Sequence, residues 1–544
     1  MSKQNTPPAK QDRTMEKSRM NHNLLFLIAF IEGGTVMAIE LAGAKMIAPF
    51  FGTSLYVWAS VLAVTLGGLT AGYFAGGWAT YRYQPLRMLF WELLAGTLLI
   101  ALMPVLAISV MSVTGSLGVR LGSLLSSLAF MFLPLVCMGM VSPTIIQLSN
   151  RELKGTGKTA GTIYAISTIG GITMTLLMGF YFLPEWGIRK SVFLAAILLG
   201  LMAILVVIIG RRFKVVSGIG FLAVILLFFA SSSSFSDVNA AEKYLYRSEG
   251  ILGQLAVVDS KTGDHTRSLF INRCPQTVVN PGKLPASLWK YPHRIAMLAS
   301  IKPAGSKALL IGLGGGGIAM ELKKMGFSVD AVELDKRVPE LAEEYFGFEP
   351  GGMNVTIDDG RHFIRTTGNK YDLVVIDVLN GEIQPYQMFT TESFAELKQI
   401  MAPDGLLIIN NQGFLLGEHG RGGRSVYKTL VESGFKAKYY FAGDADHSGD
   451  IHFIASPSDF QIFFNPSERI NACCREYPVD YQSLVISVEV VAANNPLDLN
   501  DAEVLTDDRP ALETLYNYSN EEWRTNIMKS LIGRRKAKPV PLFY

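Results

Sequence analysis

Three carboxylates and a glycine-rich run stand where short apolar segments of the chain end. The run occupies 312–317, and Glu333 lies about 20 residues further on. Asp359 and Asp377 follow the next two apolar segments. A glycine turn that opens a helix lets a ligand reach backbone N–H groups, and a carboxylate at the next strand end can hold a ribose diol. The pattern predicts a nucleoside-type ligand, with Asp359 near an adenine amino group and Asp377 at the reacting centre.

Within the run, the pattern assigns Gly312, Gly314 and Gly316 to ligand binding. A glycine run alone is weak evidence, and a carboxylate after a strand can also cap a helix or face solvent. We adopt that plainer explanation for Asp358. For the other carboxylates a ligand is favoured, because several strand ends supply the required groups together.

The elements that must position these residues alternate between strand and helix. We predict strands at 308–312, 328–333, 355–357, 371–377 and 406–410, a closing pair at 438–441 and 451–455, and a helix from Ile318. Two strands at 255–260 and 267–272 and a helix around 284–298 precede them. Such alternation predicts a parallel, doubly wound α/β sheet of the Rossmann type, with a small β section before it.

The first half of the chain has a different character. Residues 23–234 are strongly apolar, and a bilayer core needs about 20 apolar residues per helix. Seven segments meet this length, at 23–47, 55–79, 87–112, 121–148, 160–183, 190–210 and 215–233. A soluble protein with seven such segments would lack a polar face, so we predict a polytopic α-helical membrane domain of about seven spans.

The first predicted span contains the charged residues Glu32, Glu40 and Lys45. Charges inside a membrane usually face a cavity or a partner. Glu40 and Lys45 lie near the end of the span, where their side chains can also reach the interface. Glu32 is deeper, and a functional site and a structural role are equally open for it.

Loop charges indicate the orientation of the spans. With the N-terminus inside, the inner loops hold Lys3, Lys10, Arg13, Lys17, Arg19, Arg82, Arg87, Arg151, Lys154, Lys158, Arg211, Arg212 and Lys214, and the outer loops hold only Lys45, Arg120, Arg189 and Lys190. Seven spans would then place the second half of the chain outside, where a cofactor made in the cytosol is not expected. The sequence leaves open whether the span count or the expected cofactor is at fault.

Composition sets the remaining boundaries. The predicted order is a polar basic tail (1–22), the membrane domain (23–234), a linker (235–245), the small β section (246–282), the Rossmann-like domain (283–515) and a basic tail (516–544). A formal net charge of +3 and the lack of a basic, aromatic-rich run argue against nucleic acid as a partner. The four cysteines lack metal-ligand spacing, so we expect no metal.

These motifs resemble spermidine synthases, the aminopropyltransferase branch of the adenosylmethionine-dependent methyltransferase-like fold. The whole chain is similar to membrane-fused spermidine synthase-like proteins. The matching motifs are Glu40 with 49–54 (Pro-Phe-Phe-Gly-Thr-Ser), the glycine-rich 72–82, 311–316 (Ile-Gly-Leu-Gly-Gly-Gly), 332–335 (Val-Glu-Leu-Asp), 359–361 (Asp-Gly-Arg), Asp377 with Pro385, Tyr386 and Thr390, and 505–510 (Leu-Thr-Asp-Asp-Arg-Pro).

The resemblance implies a role for each matched residue. Glu333 would bind the donor ribose, Asp359 the adenine, and Asp377 would assist deprotonation of the attacking amine. Gln276 and Tyr291 fall roughly where the family contacts the cofactor and the amine. The implied donor is decarboxylated S-adenosylmethionine or S-adenosylmethionine, without a metal.

Two departures from the family pattern concern the substrate. Spermidine synthases carry an aspartate where this chain has Gly315, and a second one where it has Asn380. In the family these carboxylates face the aminopropyl ammonium and the diamine. Their loss puts putrescine in doubt, because a buried ammonium without a partner is costly. Glu382 could compensate in part, and we assign it with Asn380 and Tyr291 to substrate binding.

We therefore expect a transferase in the plasma membrane that moves an aminopropyl or a methyl group to an amine or another nucleophile. Its expected partners are the lipid bilayer and a small-molecule amine or membrane-embedded acceptor, with a homodimer left open. One alternative is a transporter or sensor whose α/β domain only binds a nucleoside. Another is an adenosylmethionine-dependent methyltransferase with a membrane-associated substrate.

Overall fold

The computed structural model describes residues 22–149, 156–210, 242–250, 252–261, 265–379, 381–462, 497–509 and 511–537. These residues form two units, a helical bundle (22–210) and an α/β domain (242–537). The helices of the bundle are α1 (His22–Phe51), α2 (Leu55–Ala79), α3 (Pro85–Thr114), α4 (Gly118–Ser149), α5 (Thr156–Leu177) and α6 (Leu183–Gly210), with a π-helical segment (Met178–Phe182) between the last two.

Five apolar helical stretches in the described part of the chain are long enough to cross a membrane. The fifth, Gly157–Ile208, has 52 residues, and Gly187 breaks it with non-helical angles (φ 76°, ψ 173°). The structure thus does not confirm seven separate spans. The first four fall on separate helices, the fifth and sixth fall on the two arms of this long stretch, and 215–233 lies outside the described residues.

Small residues bring the helices of the bundle close together. A Cβ built on Gly72 of α2 would lie 2.7 Å from Cα of Gly139 in α4, so only glycine fits this contact.

Helix directions follow from four pairs of contacts, Ser60 with Ser123, Gly72 with Gly139, Thr114 with Ser126, and Thr144 with Glu92. They make α2 and α4 parallel and α3 antiparallel to α4, as expected for consecutive crossings joined by short loops.

The α/β domain contains two sheets. Its strands are β1 (Glu242–Ser248), β2 (Leu255–Ser260), β3 (Thr266–Ile271), β4 (Cys274–Val279), β5 (Lys307–Ile311), β6 (Ser328–Glu333), β7 (Asn354–Ile357), β8 (Tyr371–Ile376), β9 (Met401–Gly413), β10 (Lys436–Phe441) and β11 (Gly449–Ser456). The first four strands form an antiparallel sheet, and the others form a seven-stranded sheet in the order β10-β11-β9-β8-β5-β6-β7.

The larger sheet is mixed, which corrects the prediction of a parallel one. Strands β5 to β9 pair in parallel, whereas β11 is antiparallel to both β9 and β10. The connection between β10 and β11 is too short for the crossover that a parallel pair needs. The central strands are buried on both faces, as expected when helices cover both sides of a sheet.

The helices of this domain are α7 (Tyr291–Ala299), α8 (Gly317–Lys324), α9 (Arg337–Phe346), α10 (Gly360–Thr366), α11 (Thr391–Ile400), α12 (Arg421–Glu432), α13 (Leu512–Leu515) and α14 (Asn517–Ala537). The helix expected around 284–298 thus begins only at Tyr291, after a stretch that contains Pro285.

Three predicted boundaries also differ from the structure. The expected linker 235–245 overlaps β1, which starts at Glu242, and the small β section has four strands instead of two. The segment 516–544, predicted as a tail, contains the long helix α14, whose Arg524 is only 1% exposed. Burial of this helix depends on contacts far away in the sequence, which local composition does not reveal.

The α/β domain packs against one end of the bundle, which we call the domain face. This face contains the loop between α1 and α2, the start of α4 and the break at Gly187. The contacts across it are Leu55 N to Glu513 (2.8 Å), Arg120 with Glu521 (3.2 Å), Ile188 N to Glu249, and Arg524 to the carbonyl of Pro49 (3.4 Å).

Candidate active site

A cavity of about 670 Å³ lies at the carboxyl ends of β5, β6 and β8. Parallel strands that end at one edge of a sheet commonly place a ligand site there. The cavity is large enough for a nucleoside ligand together with a second reactant. Of the predicted site residues, Gly312, Gly314, Glu333, Asp359, Asp377, Gln276 and Tyr291 line it.

The glycine run forms a tight turn between β5 and α8. Gly312 has a φ of +92°, and a Cβ at this position would lie 2.0 Å from the carbonyl oxygen of Asp377. Glycine is therefore required for the ends of β5 and β8 to meet. Gly316 starts α8 as its N-cap (φ +79°) and packs on Phe348, so its role is in the turn and not in the wall of the cavity.

Gly315 is held by a neighbour from the small sheet. Its N–H donates to Oγ1 of Thr277 at 2.9 Å, and a Cβ at Gly315 would lie 2.6 Å from Cγ2 of Thr277. Thr277 thus occupies the space that a side chain at this position would need. The packing between the two sheets therefore leaves no room for a carboxylate side chain at position 315.

Glu333 ends β6 with its carboxylate fixed by the backbone. Leu313 N–H donates to Oε2 (3.0 Å) and Asp335 N–H donates to Oε1 (2.9 Å). Burial raises the pKa of Glu333, and the backbone donors oppose this rise. A carboxylate has about four lone-pair sites, so Glu333 retains capacity to accept from a ribose hydroxyl beside these backbone donors.

Asp359 both caps a helix and lines the cavity, although the sequence analysis treated a cap and a binding site as alternatives. Its Oδ1 caps α10 by accepting from the N–H groups of Arg361 and His362, both at 3.0 Å. The same residue lines the cavity, and no described residue donates to its Oδ2. Asp358 also lines the cavity, but its carboxylate contacts Nδ1 of His362 (2.7 Å), in line with the plainer explanation.

Asp377, directly after β8, is oriented by two side chains. Asn410 of the neighbouring β9 donates from Nδ2 to Oδ1 (2.8 Å), and the Tyr291 hydroxyl lies 3.4 Å from Oδ2. Burial raises the pKa of Asp377 to about 6, although both hydrogen bonds favour the anion. A carboxylate with such a pKa is ionised at neutral pH and can still accept a proton.

Aromatic side chains and a partly buried ion pair also line the cavity. Trp289, Tyr291 and Trp523 line it, together with Arg294 and Asp450. Arg294 Nη2 lies 2.9 Å from Oδ2 of Asp450, so the guanidinium offsets that carboxylate. This region is suited to a reactant with an apolar body.

Sequence reasoning missed several lining residues, namely Thr277, Arg294, Asn410, Asp450 and Trp523. Asn410 carried a usable signal, because it is a polar residue at the end of a predicted strand. Trp523 carried none, since it lies in the segment predicted as a tail.

Glu382 does not line the cavity. Its carboxylate is buried and forms an ion pair with Arg524 of α14, which corrects its placement against the substrate. Gln276 lines the cavity and donates to the carbonyl of Gly381 at 3.1 Å, so it supports the loop after Asp377. Asn380 lies outside the described residues.

The two membrane-segment candidates differ in their surroundings. Glu32 is 2% exposed in α1 and accepts a hydrogen bond from Oγ of Ser167 in α5 at 3.0 Å. Glu40 is only partly buried in the same helix. The bundle therefore encloses Glu32 but leaves Glu40 nearer its surface.

Two of the motifs described above meet in an ion-pair network around the buried side chain of Arg361. Arg361, which is 4% exposed, donates to Asp507 (2.6 Å) and to Glu396 (2.7 Å), and Thr390 also donates to Asp507 (2.7 Å). The network connects α10, α11 and the 505–509 segment. These residues hold the floor of the domain and do not contact the cavity.

No group of three His, Cys, Asp or Glu side chains arranged as metal ligands occurs in the part of the chain that the structure describes.

Residues 291–442 match the family model described as spermine/spermidine synthase domain, so this part of the chain is spermidine synthase-like. The polyamine aminopropyltransferase of Vibrio vulnificus is 34% identical over 128 residues, which cover 22% of this chain and 43% of that protein. The N-terminal histidine N-methyltransferase of Emericella nidulans is 36% identical over 115 residues, which cover 20% of each protein. The chain thus spans less than half the length of either relative.

Among solved structures, a probable spermidine synthase from Corynebacterium glutamicum aligns with a TM-score of 0.35 and 20% identity, covering 44% of this chain and 87% of that one.

Proposed function

We propose that this spermidine synthase-like protein is a membrane-bound transferase that moves an aminopropyl group from an adenosyl sulfonium donor to an amine or other nucleophile, with Asp377 as the base. The observation that carries the proposal is the placement of Asp377. Its oriented carboxylate shares one cavity with the glycine turn and with Glu333. In this arrangement a donor held by its ribose and adenine presents its sulfonium toward Asp377.

The reaction balances without a further reactant. The nucleophile's lone pair attacks the carbon next to the sulfonium, the C–S bond breaks, and the thioether leaves with that electron pair. The proton lost by the nucleophile passes to Asp377. The protein contributes mainly by holding the two reactants in line.

The identity of the transferred group depends on Gly315 and Thr277. No carboxylate fits at Gly315, so the described residues supply no acid there for the ammonium of an aminopropyl group. This feature supports methyl transfer as the runner-up, as does the similarity to a histidine methyltransferase. In that case the acceptor would be a membrane-associated nucleophile.

Titration calorimetry of the full-length protein in detergent with S-adenosylmethionine and with its decarboxylated form tests the proposal. We expect one donor to bind and Asp377→Asn to keep that affinity while transfer falls by about 100-fold or more. Failure of both donors to bind would refute a transferase, and full activity of Asp377→Asn would refute the base.

The arrangement of the two units supports a membrane topology in which the α/β domain lies opposite the N-terminus. From Ile188 on the domain face, α6 runs to Gly210, which is about 33 Å away by helical rise and close to the thickness of a bilayer core. Strand β1, the first described element after the bundle, is nevertheless followed directly by Glu249, which accepts from Ile188 N on the domain face. This arrangement supports the prediction of a seventh span at 215–233, a segment that lies outside the described residues.

Loop charges support an α/β domain on the outer side of a plasma membrane, and this topology requires the adenosyl donor to be available on that side. The loops away from the domain face contain Arg82, Arg87 and Lys158, in addition to the other basic residues of the predicted inner loops. Alkaline phosphatase fused to the C-terminus should be active, and green fluorescent protein fused there should not fluoresce. The reverse pattern would contradict this topology.

A transporter or sensor remains the second candidate, favoured by two buried carboxylates in the bundle. Glu32 and Glu92 are 2% and 5% exposed, and no described residue forms an ion pair with either. Carboxylates in such positions often mark a pathway for protons or substrates. Donor binding without any transfer, combined with loss of uptake into vesicles in Glu32→Gln, would favour this second function.

A further inference from the structure

We infer that Arg524 is a positioning residue through which the helical bundle sets the shape of the active-site loop, defined here as residues 378–385. The inference rests on the proposed function, because it concerns the loop that follows the proposed base. Arg524 belongs to α14 and touches neither the cavity nor any reacting atom. It acts by joining Glu382 of the loop to the bundle.

The contacts of Arg524 use every nitrogen of its side chain. Nε donates to Oε1 of Glu382 at 3.0 Å, and Nη2 donates to Oε2 of the same carboxylate. Nη1 donates to the carbonyls of Asn272 (3.0 Å) and Pro49 (3.4 Å). One guanidinium thus joins the active-site loop, the small sheet and α1. Arginine alone presents donors in this forked arrangement, so lysine cannot replace it.

The pair is shielded from water, which makes it sensitive to change. Arg524 is 1% exposed and Glu382 is 5% exposed. Removal of one partner would leave a buried charge without compensation, which is far more costly than losing an exposed ion pair. The loop is therefore fixed to the bundle and not merely adjacent to it.

The loop and α14 both reach the cavity directly. Leu379 and Pro385 lie on either side of Glu382 in the sequence, and both line the cavity. Trp523, the neighbour of Arg524, lines it as well. A shift of the Arg524–Glu382 pair would therefore move three parts of the cavity wall.

The bundle side of the contact is Gly52, in the loop between α1 and α2. Its φ is +78°, and a Cβ built on it would lie 2.2 Å from Oε1 of Glu382. Any side chain at Gly52 must displace the Glu382 carboxylate. A substitution in the bundle alone can thus disturb the active-site loop without altering the α/β domain.

Gly118 offers a matched control on the same face of the bundle. It also has a φ of +78°, but a Cβ there would have no atom within 4 Å. Gly52→Ala and Gly118→Ala therefore both place a side chain at a positive φ, and of the two only Gly52→Ala brings a Cβ against Glu382. Arg120→Ala is the corresponding control for Arg524→Lys, because the Arg120–Glu521 pair also joins α14 to the bundle but is exposed.

The experiment compares these variants in the full-length protein in lipid nanodiscs. It measures donor affinity, kcat and KM for the acceptor, and amide hydrogen exchange in residues 378–385. For Gly52→Ala and Arg524→Lys we expect kcat/KM for the acceptor to fall by about tenfold or more, because small displacements of reacting groups are costly. Donor affinity should change by less than about twofold, since Gly312 and Glu333 are not in the loop. Exchange in the loop should accelerate.

Gly118→Ala and Arg120→Ala should keep wild-type exchange in the loop and wild-type kcat/KM. Equal effects of Gly52→Ala and Gly118→Ala would overturn the inference, as would unchanged loop exchange in Arg524→Lys. If the wild-type protein shows no transfer, the proposed function fails, and the exchange data alone still decide whether the bundle holds the loop.

Discussion

Replacement of Asn410 by leucine should shift the acid limb of the pH–activity profile to higher pH. Asn410 donates to Oδ1 of Asp377 at 2.8 Å, and this bond stabilises the ionised carboxylate. Leucine has a similar size but no donor, so the anion loses a partner without a large change in side-chain volume. The pKa of Asp377 should therefore rise above its value of about 6.

The size of the shift follows from the type of bond. A hydrogen bond to a charged group is worth about 1.5–3 kcal/mol, and one pKa unit corresponds to about 1.36 kcal/mol. The loss of this bond should raise the pKa to about 7–8. At pH 6.5 the ionised fraction of Asp377 would then fall between about threefold and 25-fold, whereas at pH 9 it would remain nearly complete.

The assay is kcat/KM for the transfer reaction between pH 5 and pH 9 (roughly the range in which Asp377 titrates), because this parameter reports the free enzyme. Wild-type activity should be half-maximal near pH 6 on the acid side and fall further below it. Tyr291→Phe is the comparison. Its hydroxyl lies 3.4 Å from Oδ2, so the limb should move by less than about 0.5 unit. An acid limb that stays in place in Asn410→Leu, or activity that does not recover at pH 9, would refute Asp377 as the titrating base.

Three further predictions concern the donor site and the floor of the domain. Glu333→Gln should weaken donor binding by roughly 10- to 100-fold in titration calorimetry, because ribose hydroxyls would lose a charged acceptor; an unchanged Kd would remove Glu333 from the site. Gly315→Asp should not improve binding of decarboxylated S-adenosylmethionine, because a Cβ at this position would lie 2.6 Å from Thr277. Tighter binding would contradict this packing. Arg361→Ala should lower the free energy of unfolding by about 1.5–3 kcal/mol in denaturant titrations, because the buried guanidinium donates to two carboxylates that are partly exposed. Arg365→Ala, 53% exposed, should cost less than about 1 kcal/mol, and equal losses would contradict the buried position of Arg361.

The residues at the strand ends could be predicted because local pattern determines them. An apolar strand followed by a glycine turn or a carboxylate forms the same edge wherever it occurs, so Gly312, Glu333, Asp359 and Asp377 all lie where the sequence indicated. Asp359 shows one limit of this reasoning. A helix cap and a binding site are not exclusive, because the two carboxylate oxygens can serve different partners.

The role of Glu382 could not be predicted, because its partner Arg524 lies 142 residues away in a segment that resembles a solvated tail. A charged residue near a site is equally consistent with ligand binding and with a structural ion pair. Only the docking of α14 between the loop and the bundle distinguishes them. The predicted seventh span, 215–233, lies outside the described residues and stays a prediction.

The structure explains why this chain has glycine at position 315, where the resembling family has aspartate. The sequence indicated that a carboxylate was missing, and the resemblance related this to the substrate. Thr277, 38 residues earlier on β4, fills the space instead. This contact between the two sheets has no signal in local periodicity.

The identity of the released thioether tests the proposed transfer most directly. The full-length protein is incubated with each adenosyl donor and candidate amines, and the products are identified by mass spectrometry. Aminopropyl transfer predicts 5′-methylthioadenosine in an amount equal to the modified amine, with its formation lost in Asp377→Asn. S-adenosylhomocysteine would instead establish methyl transfer, and the absence of both thioethers with every acceptor would contradict the account.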